Sequence, residues 1–573
     1  MNKDISLVGL IILLGVVLLV IFFIGPSNPD EFLYLFISNK IDTNGIGEYF
    51  SLAGTSLRYL KVVYNILVSL PIVLFGYSLV AYSAISLISY LLISVLIYFF
   101  TKKCYKSRIQ AFLASLLFLS IPASIFYASL VLPEMIHALF IFTSVFLLIL
   151  AVKSENKNGL FLFLTGIFWG LSLYLREHSV FIFPVYIYFT VKYWPRLKLK
   201  FFYIALGYAL TFLVINGIVF LNSGDFLFQW TFTKLRFGGV DPEKTTFFET
   251  IGPRLFYTTA LFTRIDYFGT TVLGITGLFI YKVILSKGKP RILFDDIFYI
   301  ILLLFVSYEV LYRIILPVPR TVAYISPIFP FLAIYLSKLI VSVKTSEISF
   351  KMVIMGFLTI LIVSLILLFA FKNTLVHELA GRLSARDTYL VDSGPRAILF
   401  FKLIVISVIN LTLIYVVAFF VHYSIDAKLQ LVIFFTMFIP SILILSPFRT
   451  QKSIDFVRVN KTLTSYIQKS ETGSFYIHDS YQRSPLICYS GYSIEDGYIN
   501  EKRSKNKQHV ILPLDSITNL SGGLIIIDKM ILEQKMKIGI TDLPYKHIID
   551  SIQKHLQPVY SIQKISVYPY YPE

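Results

Sequence analysis

Four short clusters of ionisable residues interrupt a chain that is otherwise strongly apolar. In chain order their members are Asp30 with Glu31, Glu134, Arg176 with Glu177, and Arg320 with Tyr324. A carboxylate can remove a proton as a general base, and Arg or Lys can neutralise a phosphate. These residue types therefore suit a base-assisted reaction on a phosphate-bearing substrate, provided that the fold brings the clusters to one place.

Each cluster also has a structural interpretation. Asp30 and Glu31 can cap a helix that starts at Pro29, and Glu134 can stabilise a helix N-terminus. Arg176 can pair with Glu177, and other cations near the membrane can bind lipid headgroups. Adjacent helical positions diverge by about 100°, so Asp30 and Glu31 cannot do the same job. We expect one of the two to orient or cap and the other to face a cleft.

The elements that must position these clusters are long apolar segments. The chain has 573 residues, of which 56% are hydrophobic and 15% charged, with a mean hydropathy of +0.75. A soluble domain is about 25% charged, so an ordinary soluble protein is excluded. The sequence predicts 13 membrane-spanning segments, at 5–25, 74–100, 109–126, 135–152, 160–175, 180–191, 201–221, 267–285, 297–310, 322–340, 353–371, 398–421 and 429–445. The two segments beside Arg176 are short for a full span.

The net charge of +18 orients the chain in the membrane. With a cytoplasmic N-terminus, the cytoplasmic segments carry a net charge of +13, the outer loops +1 and the C-terminal tail +4. The surplus thus lies in short loops on one face, as the positive-inside rule requires. We expect a multi-pass protein of the cell membrane, whose basic character reflects topology, so nucleic acid is not an expected partner. The four clusters then fall on the outer face.

The composition changes at residue 448, and we predict two domains, 1–447 in the membrane and 448–573 outside it. Strand-like runs at 473–477, 510–514 and 524–527 follow a helical stretch at 453–468, so the tail reads as a small extracytoplasmic α/β domain. His478 and Asp479 would point to opposite sides of a strand, which favours a structural or acceptor-positioning role for the tail. Two cysteines, Cys104 and Cys488, allow no disulfide framework and no CxxC metal site.

In their order and sidedness the clusters resemble the GT-C superfamily of membrane glycosyltransferases. The likeness is closest to the branch of bacterial aminoarabinose lipid A transferases and protein O-mannosyltransferases. The stretch 166–177 is similar to the Gly-rich span of that branch, although Leu175 stands before Arg176 where Thr is usual. A late Tyr-x-x-Pro-x-x-Pro span and the tail segment 484–492 also match. The resemblance covers nearly the whole chain and implies a GT-C-like bundle of about 13 transmembrane helices.

The resemblance implies transfer of a sugar from a polyprenyl monophosphate to an acceptor at the outer membrane face. Asp30, or else Glu31, would be the general base, and Glu134 would assist it or hold hydroxyls. Lys61 resembles the lysine of a Lys-Pro-Pro…Phe-Gly element that contacts the donor phosphate, although Val62 and Val63 replace the prolines. The phosphate ligands expected on this basis are Lys61, Arg58, Arg176 and Arg320. The expected substrate-binding residues are Tyr34, Glu177 and Tyr324.

No metal or other cofactor is expected, because cations can neutralise a departing monophosphate. The sequence lacks the Trp-Trp-Asp run of oligosaccharyltransferases, which are similar in architecture but use a metal and a diphosphate donor. Expected partners are a polyprenyl-phosphate-linked sugar, membrane lipids, and a lipid, glycan or protein acceptor. Two alternatives stay open: an O-antigen ligase or polymerase, favoured by the basic loop 372–402, and a lipid or sugar transporter. Transporters usually place ionisable residues near span midpoints, whereas most span midpoints here are apolar.

Overall fold

The computed structural model describes most of the first half of the chain and parts of the second half. In the apolar region it describes residues 2–23, 25, 29–51, 59–76, 78–154, 158–229, 295–311 and 322–343, with isolated positions at 231–279 and 434–441. In the tail it describes 474–477, 510–513, 523–528, 556–562 and 565–570, with isolated positions at 462–466 and at 554.

The apolar region is built from α-helices joined by short 3₁₀ segments. The α-helices are α1 Asn2–Phe22, α2 Pro29–Asn44, α3 Ile46–Ser51, α4 Val62–Phe75, α5 Leu79–Tyr105, α6 Arg108–Ser120, α7 Pro122–Ser129, α8 Glu134–Lys153, α9 Asn158–Leu173, α10 Phe183–Leu197, α11 Phe202–Ser223, α12 Asp296–Phe305 and α13 Phe329–Val341. The 3₁₀ segments are Glu177–Ile182, Lys198–Phe201 and Val322–Ile328, and α12 continues into a π-helical segment, Val306–Leu311. Helices satisfy their own backbone hydrogen bonds, as hydrocarbon surroundings require.

Several of these helices are suited to crossing a bilayer. Within the described residues, four helical runs are long and apolar enough: Lys3–Phe22, Leu79–Tyr105, Glu134–Lys153 and Glu177–Ser223. A fifth is counted if the bent pair α6 and α7 is taken as one span. The predicted polytopic α-helical protein is therefore confirmed. The predicted spans at 353–371 and 398–421 lie outside the described residues, so the number 13 stays a prediction.

The structure divides one predicted span into two helices. We expected a single helix over 109–126, but the chain bends by 62° between α6 and α7. The break is at Ile121, whose backbone is extended (φ −65°, ψ 117°) immediately before Pro122. A proline disfavours the helical conformation of the residue that precedes it, which explains the break.

The segment between α1 and α5, which is predicted to lie on the outer face, is helical as well. It contains α2, α3 and α4, of which α4 was not predicted as a separate helix. Helix α4 begins directly after Lys61 and ends at Gly76, whose positive φ of 74° favours glycine. The rings of Tyr34 on α2 and Tyr64 on α4 meet edge to face, with centroids 5.0 Å apart. Lys61 is thus fixed at the start of a helix that packs against the helix carrying Glu31.

Glycines allow α9 and α11 to approach closely. A methyl group added to Gly166 would collide with the backbone oxygen of Ile204, and one added to Gly207 would collide with that of Phe163. Glycine at such a contact lets two helix backbones pack directly on each other. This packing fixes the end of α9, after which Arg176 and Glu177 follow.

The opposite end of the bundle, which carries the predicted cytoplasmic charges, is held by two partly buried carboxylates. Asp4 on α1 accepts hydrogen bonds from the Tyr98 hydroxyl at 2.6 Å, the Lys102 ammonium at 2.7 Å and Nε of Arg108 at 3.0 Å. Asp295 similarly accepts from Tyr105 at 2.8 Å and pairs with Lys338 at 2.9 Å. Several of the basic residues there therefore have structural partners.

The tail contains a five-stranded sheet in the order β2-β1-β3-β5-β4. The strands are β1 Ser474–Ile477, β2 Val510–Pro513, β3 Gly523–Asp528, β4 Tyr560–Ile562 and β5 Ile565–Tyr570. Strand β1 pairs in parallel with β2 and β3, while β5 pairs antiparallel with β3 and β4. Three strands were predicted. Strand β4 was missed because it has only three residues, and β5 was missed because Pro569 weakens its strand signal.

Most of the predicted helical stretch 453–468 lies outside the described residues, but positions 462, 463, 465 and 466 are helical. The division at residues 447 and 448 also lies outside them and stays a prediction.

Candidate active site

Glu134 lies buried at the N-terminal end of α8. The helix starts at this residue, directly after Pro133, where a carboxylate is favoured by the helix dipole. One carboxylate oxygen, Oε1, forms an ion pair with the Arg176 guanidinium. Among the described residues no hydrogen-bond donor reaches the other oxygen, Oε2. A buried carboxylate oxygen without a donor is unfavourable, so this atom is well placed to accept a hydrogen bond from a substrate hydroxyl.

Arg176 and Glu177 lie on a tight reversal of the chain after α9. The Arg176 backbone N–H donates to the Ser172 oxygen at 3.0 Å, and the Ser179 N–H donates to the Arg176 oxygen at 3.0 Å. The indole N–H of Trp169 donates to the Ser179 oxygen at 2.9 Å. The turn is thus bonded to the helix before it, which fixes the backbone that carries both ionisable side chains.

Lys61 reaches this turn from α4. Its side chain is buried, and its ammonium lies 3.4 Å from Oε2 of Glu177 and 3.5 Å from the Leu175 oxygen. Burial lowers the pKa of Lys61 from 10.5 to about 8, and the nearby Arg176 also lowers it, whereas Glu177 and Glu134 oppose the change. Lys61 is therefore charged at neutral pH, but its pKa of about 8 is only slightly higher than neutral pH.

Together Lys61, Glu134, Arg176 and Glu177 form what we call the outer cluster. Two cations and two carboxylates from three separate stretches of the chain meet here, although Lys61 and Glu177 are 116 positions apart. The formal charges of the four side chains cancel. The sequence predicted all four as site residues, and the structure places them side by side.

Glu31 links the first outer helix to the loop in front of Glu134. Its side chain is fully buried, and Oε2 accepts a hydrogen bond of 2.7 Å from the Val131 backbone N–H. Asp30 precedes it on α2, and the side chain of Asp30 lies outside the described residues. Glu31 therefore positions the loop.

The remaining predicted residues are placed only in part. Tyr34 is buried against Tyr64, close to the start of α4. Tyr324 belongs to the 3₁₀ segment Val322–Ile328, but its side chain lies outside the described residues, as do Arg58 and Arg320. In the same segment the Ser326 hydroxyl donates to the backbone oxygen of Glu134 at 3.1 Å. The late Tyr-x-x-Pro-x-x-Pro segment thus lies against the helix start that carries Glu134.

Sequence reasoning missed a buried polar group beneath the outer cluster. His137 Nε2 lies 2.7 Å from the Ser179 hydroxyl, and the His137 and His178 rings meet edge to face at 4.9 Å. The Ser179 hydroxyl also donates a hydrogen bond of 2.7 Å to the Arg176 backbone oxygen. A signal was available, because His137 is an ionisable residue inside a predicted span, three positions after Glu134 and so on the same helix face. Its contact with Ser179 supports the turn that carries Arg176.

The possibility of a metal site can be examined only in part. Within the described residues, no group of three or more His, Cys, Asp or Glu side chains could hold a metal ion. The prediction that no metal or cofactor is needed remains a prediction.

Comparison with protein families gives a match over part of the chain. Residues 62–218 match the model of the family described as dolichyl-phosphate-mannose-protein mannosyltransferase. This range contains Glu134, Arg176 and Glu177, and it begins one residue after Lys61. The sequences of curated proteins give no match.

Comparison with solved structures gives a match over nearly the whole chain. ArnT from Cupriavidus metallidurans bound to undecaprenyl phosphate is 12% identical, with a TM-score of 0.58, over 98% of this chain and 97% of that one. The same protein in the apo state is 13% identical, with a TM-score of 0.60, over 99% and 98%. The chain therefore has the fold of ArnT over nearly its whole length. The predicted resemblance and the assignment to the glycosyltransferases are confirmed at this level.

Proposed function

We propose that this multi-pass membrane glycosyltransferase takes its sugar from a polyprenyl monophosphate and transfers it to an acceptor hydroxyl at the outer membrane face. The observation that carries the proposal is the outer cluster, in which a buried ammonium and a guanidinium meet two carboxylates at one end of the helical bundle. A similar fold that binds undecaprenyl phosphate supports this choice of donor. The acceptor is a lipid, a glycan or a protein.

Lys61 and Arg176 are the proposed ligands of the donor phosphate. Hydrogen bonds from cationic side chains to phosphate are short and strong, and burial strengthens them further. Arg58 and Arg320 complete the proposed set. The polyprenyl chain needs an apolar surface that is open to the bilayer, which a bundle of apolar helices provides.

Transfer breaks the bond between the anomeric carbon and the phosphate oxygen, whose electron pair stays on the phosphate. The acceptor oxygen forms the new bond to the anomeric carbon from the opposite face, so the configuration inverts. The proton of the acceptor hydroxyl passes to a carboxylate base. The negative charge that develops on the phosphate is stabilised by the cations already in place.

Asp30 is the proposed base, and Glu134 is the proposed hydrogen-bond acceptor for a substrate hydroxyl. Glu31 is engaged by the Val131 backbone N–H, so its carboxylate is committed to holding the loop. Glu134 has one oxygen on Arg176 and one without a donor among the described residues. This second oxygen can orient a hydroxyl of the sugar or of the acceptor.

The test is sugar transfer by purified protein from a panel of radiolabelled polyprenyl-phosphate sugars. We expect Asp30→Asn to lower turnover by roughly 10²- to 10⁴-fold, the usual contribution of a general base, while donor binding is retained. Asp42→Asn is a matched control, because Asp42 lies on the same helix about 18 Å further along. Full activity of Asp30→Asn would remove Asp30 from this role. Transfer that occurs only when a polyprenyl-diphosphate-linked sugar is added as the donor would instead favour the ligase or polymerase alternative.

A further inference from the structure

The ammonium of Lys61 is buried but loosely bonded. Its side chain is 5% exposed, and its contacts with Glu177 and with the Leu175 oxygen are 3.4 Å and 3.5 Å long. Charge-assisted hydrogen bonds of an ammonium are usually about 2.7–2.9 Å long, and an ammonium has three protons to donate. The ammonium can therefore form a shorter hydrogen bond to an anionic ligand than the ones that it forms with Glu177 and Leu175.

Glu177 is the more accessible member of this pair. Its side chain is 33% exposed, whereas that of Lys61 is 5% exposed. It also lies at the first position of a short 3₁₀ segment and not within a long helix. A partly exposed carboxylate with a long contact can move away from its cation at little cost, because water solvates the charge that is released.

The second ion pair of the outer cluster is different. The side chain of Arg176 is 12% exposed and that of Glu134 is 2% exposed. Separating this pair would leave a carboxylate uncompensated in the protein interior, which is strongly unfavourable. Of the two carboxylates, Glu177 is therefore the one that an incoming anion can replace.

The charges of substrate and product give this exchange a direction. The donor phosphate is a diester with one negative charge, and the released phosphate is a monoester that carries between one and two near neutral pH. Either phosphate on Lys61 would lie beside Glu177, and like charges at such short range repel each other. The repulsion is stronger for the product than for the donor.

We propose that Glu177 is a resident counter-ion of Lys61, which yields the ammonium to the phosphate of the polyprenyl donor and returns to it when the polyprenyl phosphate product leaves. The inference rests on the proposed function and assigns Glu177 a role in product release. It predicts that the wild-type protein binds the product less tightly than a variant in which Lys61 and Arg176 are present but the charge of Glu177 is absent.

The experiment measures binding of undecaprenyl phosphate to the purified full-length protein. Glu177→Gln removes the charge but keeps the size of the side chain, and we expect roughly fivefold tighter binding, the effect of one partly exposed ion pair. The same change in a Lys61→Met background should give clearly less tightening, because no ammonium is left to compete for and only the repulsion between Glu177 and the phosphate remains. Glu48→Gln, an exposed position on α3, is the control for a simple loss of one negative charge.

The outcomes separate this inference from the proposed function. If Lys61→Met weakens binding but Glu177→Gln leaves it unchanged or weaker, the counter-ion role is wrong and the donor site stands. If Lys61→Met binds as tightly as the wild type, the donor site itself is wrong. Equal tightening by Glu48→Gln would show a general charge effect and would also overturn the counter-ion role.

Two further measurements test the same inference if Glu177→Gln does not fold or if binding alone is not decisive. Should Glu177→Gln unfold, Glu177→Asp keeps the charge but draws it back from Lys61, and we expect tightening of about twofold. Affinity equal to or weaker than that of the wild type would contradict the inference. In turnover assays Glu177→Gln should show stronger inhibition by added undecaprenyl phosphate than the wild type does, and unchanged inhibition would count against a role in release.

Discussion

Burial of Lys61 makes its charge sensitive to pH near the physiological range. The pKa of Lys61 is lowered to about 8, mainly by burial, with Arg176 adding to the decrease. Glu177 and Glu134 oppose it, and the buried His137 and His178 lie close by. Since a phosphate binds the charged form, affinity for undecaprenyl phosphate should fall as the pH rises above about 8. The fall should approach tenfold per pH unit.

Lys61→Arg is the matched control for this prediction. A guanidinium stays charged above pH 12, so the alkaline fall in affinity should disappear or move beyond the accessible range. Binding is measured between pH 6.5 and 9.5 with the same lipid preparation, over which the ionisation of the lipid phosphate is common to both proteins. Wild-type affinity that stays constant up to pH 9.5 would show that the ammonium does not govern donor binding.

At the residue scale the sequence identified candidate site residues. It could not identify the partner of each side chain. Glu134, Arg176 and Glu177 stand out because ionisable groups are costly beside hydrocarbon. The sequence could not show that Arg176 pairs with Glu134, because that contact depends on how α8 and α9 pack. Burial of Glu31 on the Val131 N–H is likewise a tertiary contact across 100 positions.

At the element scale the close packing of α9 and α11 supports the outer cluster. A methyl group on Gly166 would collide with the backbone of Ile204 and Tyr208, and backbone atoms cannot move away as a flexible side chain can. We expect Gly166→Ala to lower the free energy of unfolding by about 1–3 kcal/mol. Transfer activity should fall too, because α9 ends at the turn that carries Arg176 and Glu177. Thermal unfolding and transfer assays measure the two effects.

Gly217→Ala on α11 provides the matched control. Within the part of the chain that the structure describes, no atom beyond its own helix turn lies within 4 Å of the position that its methyl group would occupy, and its backbone is helical. Alanine is favoured over glycine in a helix by about 1 kcal/mol, so this variant should be neutral or slightly more stable. Equal loss of stability in both variants would show that the helix contact at Gly166 is not the cause.

The predicted elements agree with the structure where hydropathy alone decides them. The predicted span 135–152 corresponds to α8, Glu134–Lys153, with a difference of one residue at each end. Hydropathy could not locate the bend at Ile121, since both halves are apolar and only the proline indicates it. Hydropathy also placed the end of α4 in the predicted span 74–100. The two helices are separated at Gly76 by its positive φ, and hydropathy does not report a backbone angle.

At the scale of the whole molecule the net charge and the site belong to opposite ends of the bundle. Lys102, Arg108 and Lys338 belong to the predicted cytoplasmic surplus, and they pair with Asp4 or Asp295. The outer cluster contains few charges, and they cancel. The two ends thus differ in net charge. The predicted cytoplasmic end has an excess of positive charge, whereas the charges of the outer cluster are balanced until a phosphate binds to its cations.

The orientation of the chain follows from the same difference and can be tested with single cysteines. The natural chain has two cysteines, so the background is Cys104→Ser with Cys488→Ser. Glu48→Cys is exposed on α3 at the predicted outer face, and Lys103→Cys is exposed near the end of α5 at the predicted cytoplasmic face. In intact cells a membrane-impermeant maleimide should label the first variant and spare the second, and permeabilised cells should show both labelled. Restoring Cys488 alone tests the tail, which should be labelled from outside. Because the positive-inside rule fixes orientation through the short basic loops, the opposite pattern at 48 and 103 would place the outer cluster in the cytoplasm and contradict a reaction at the outer face.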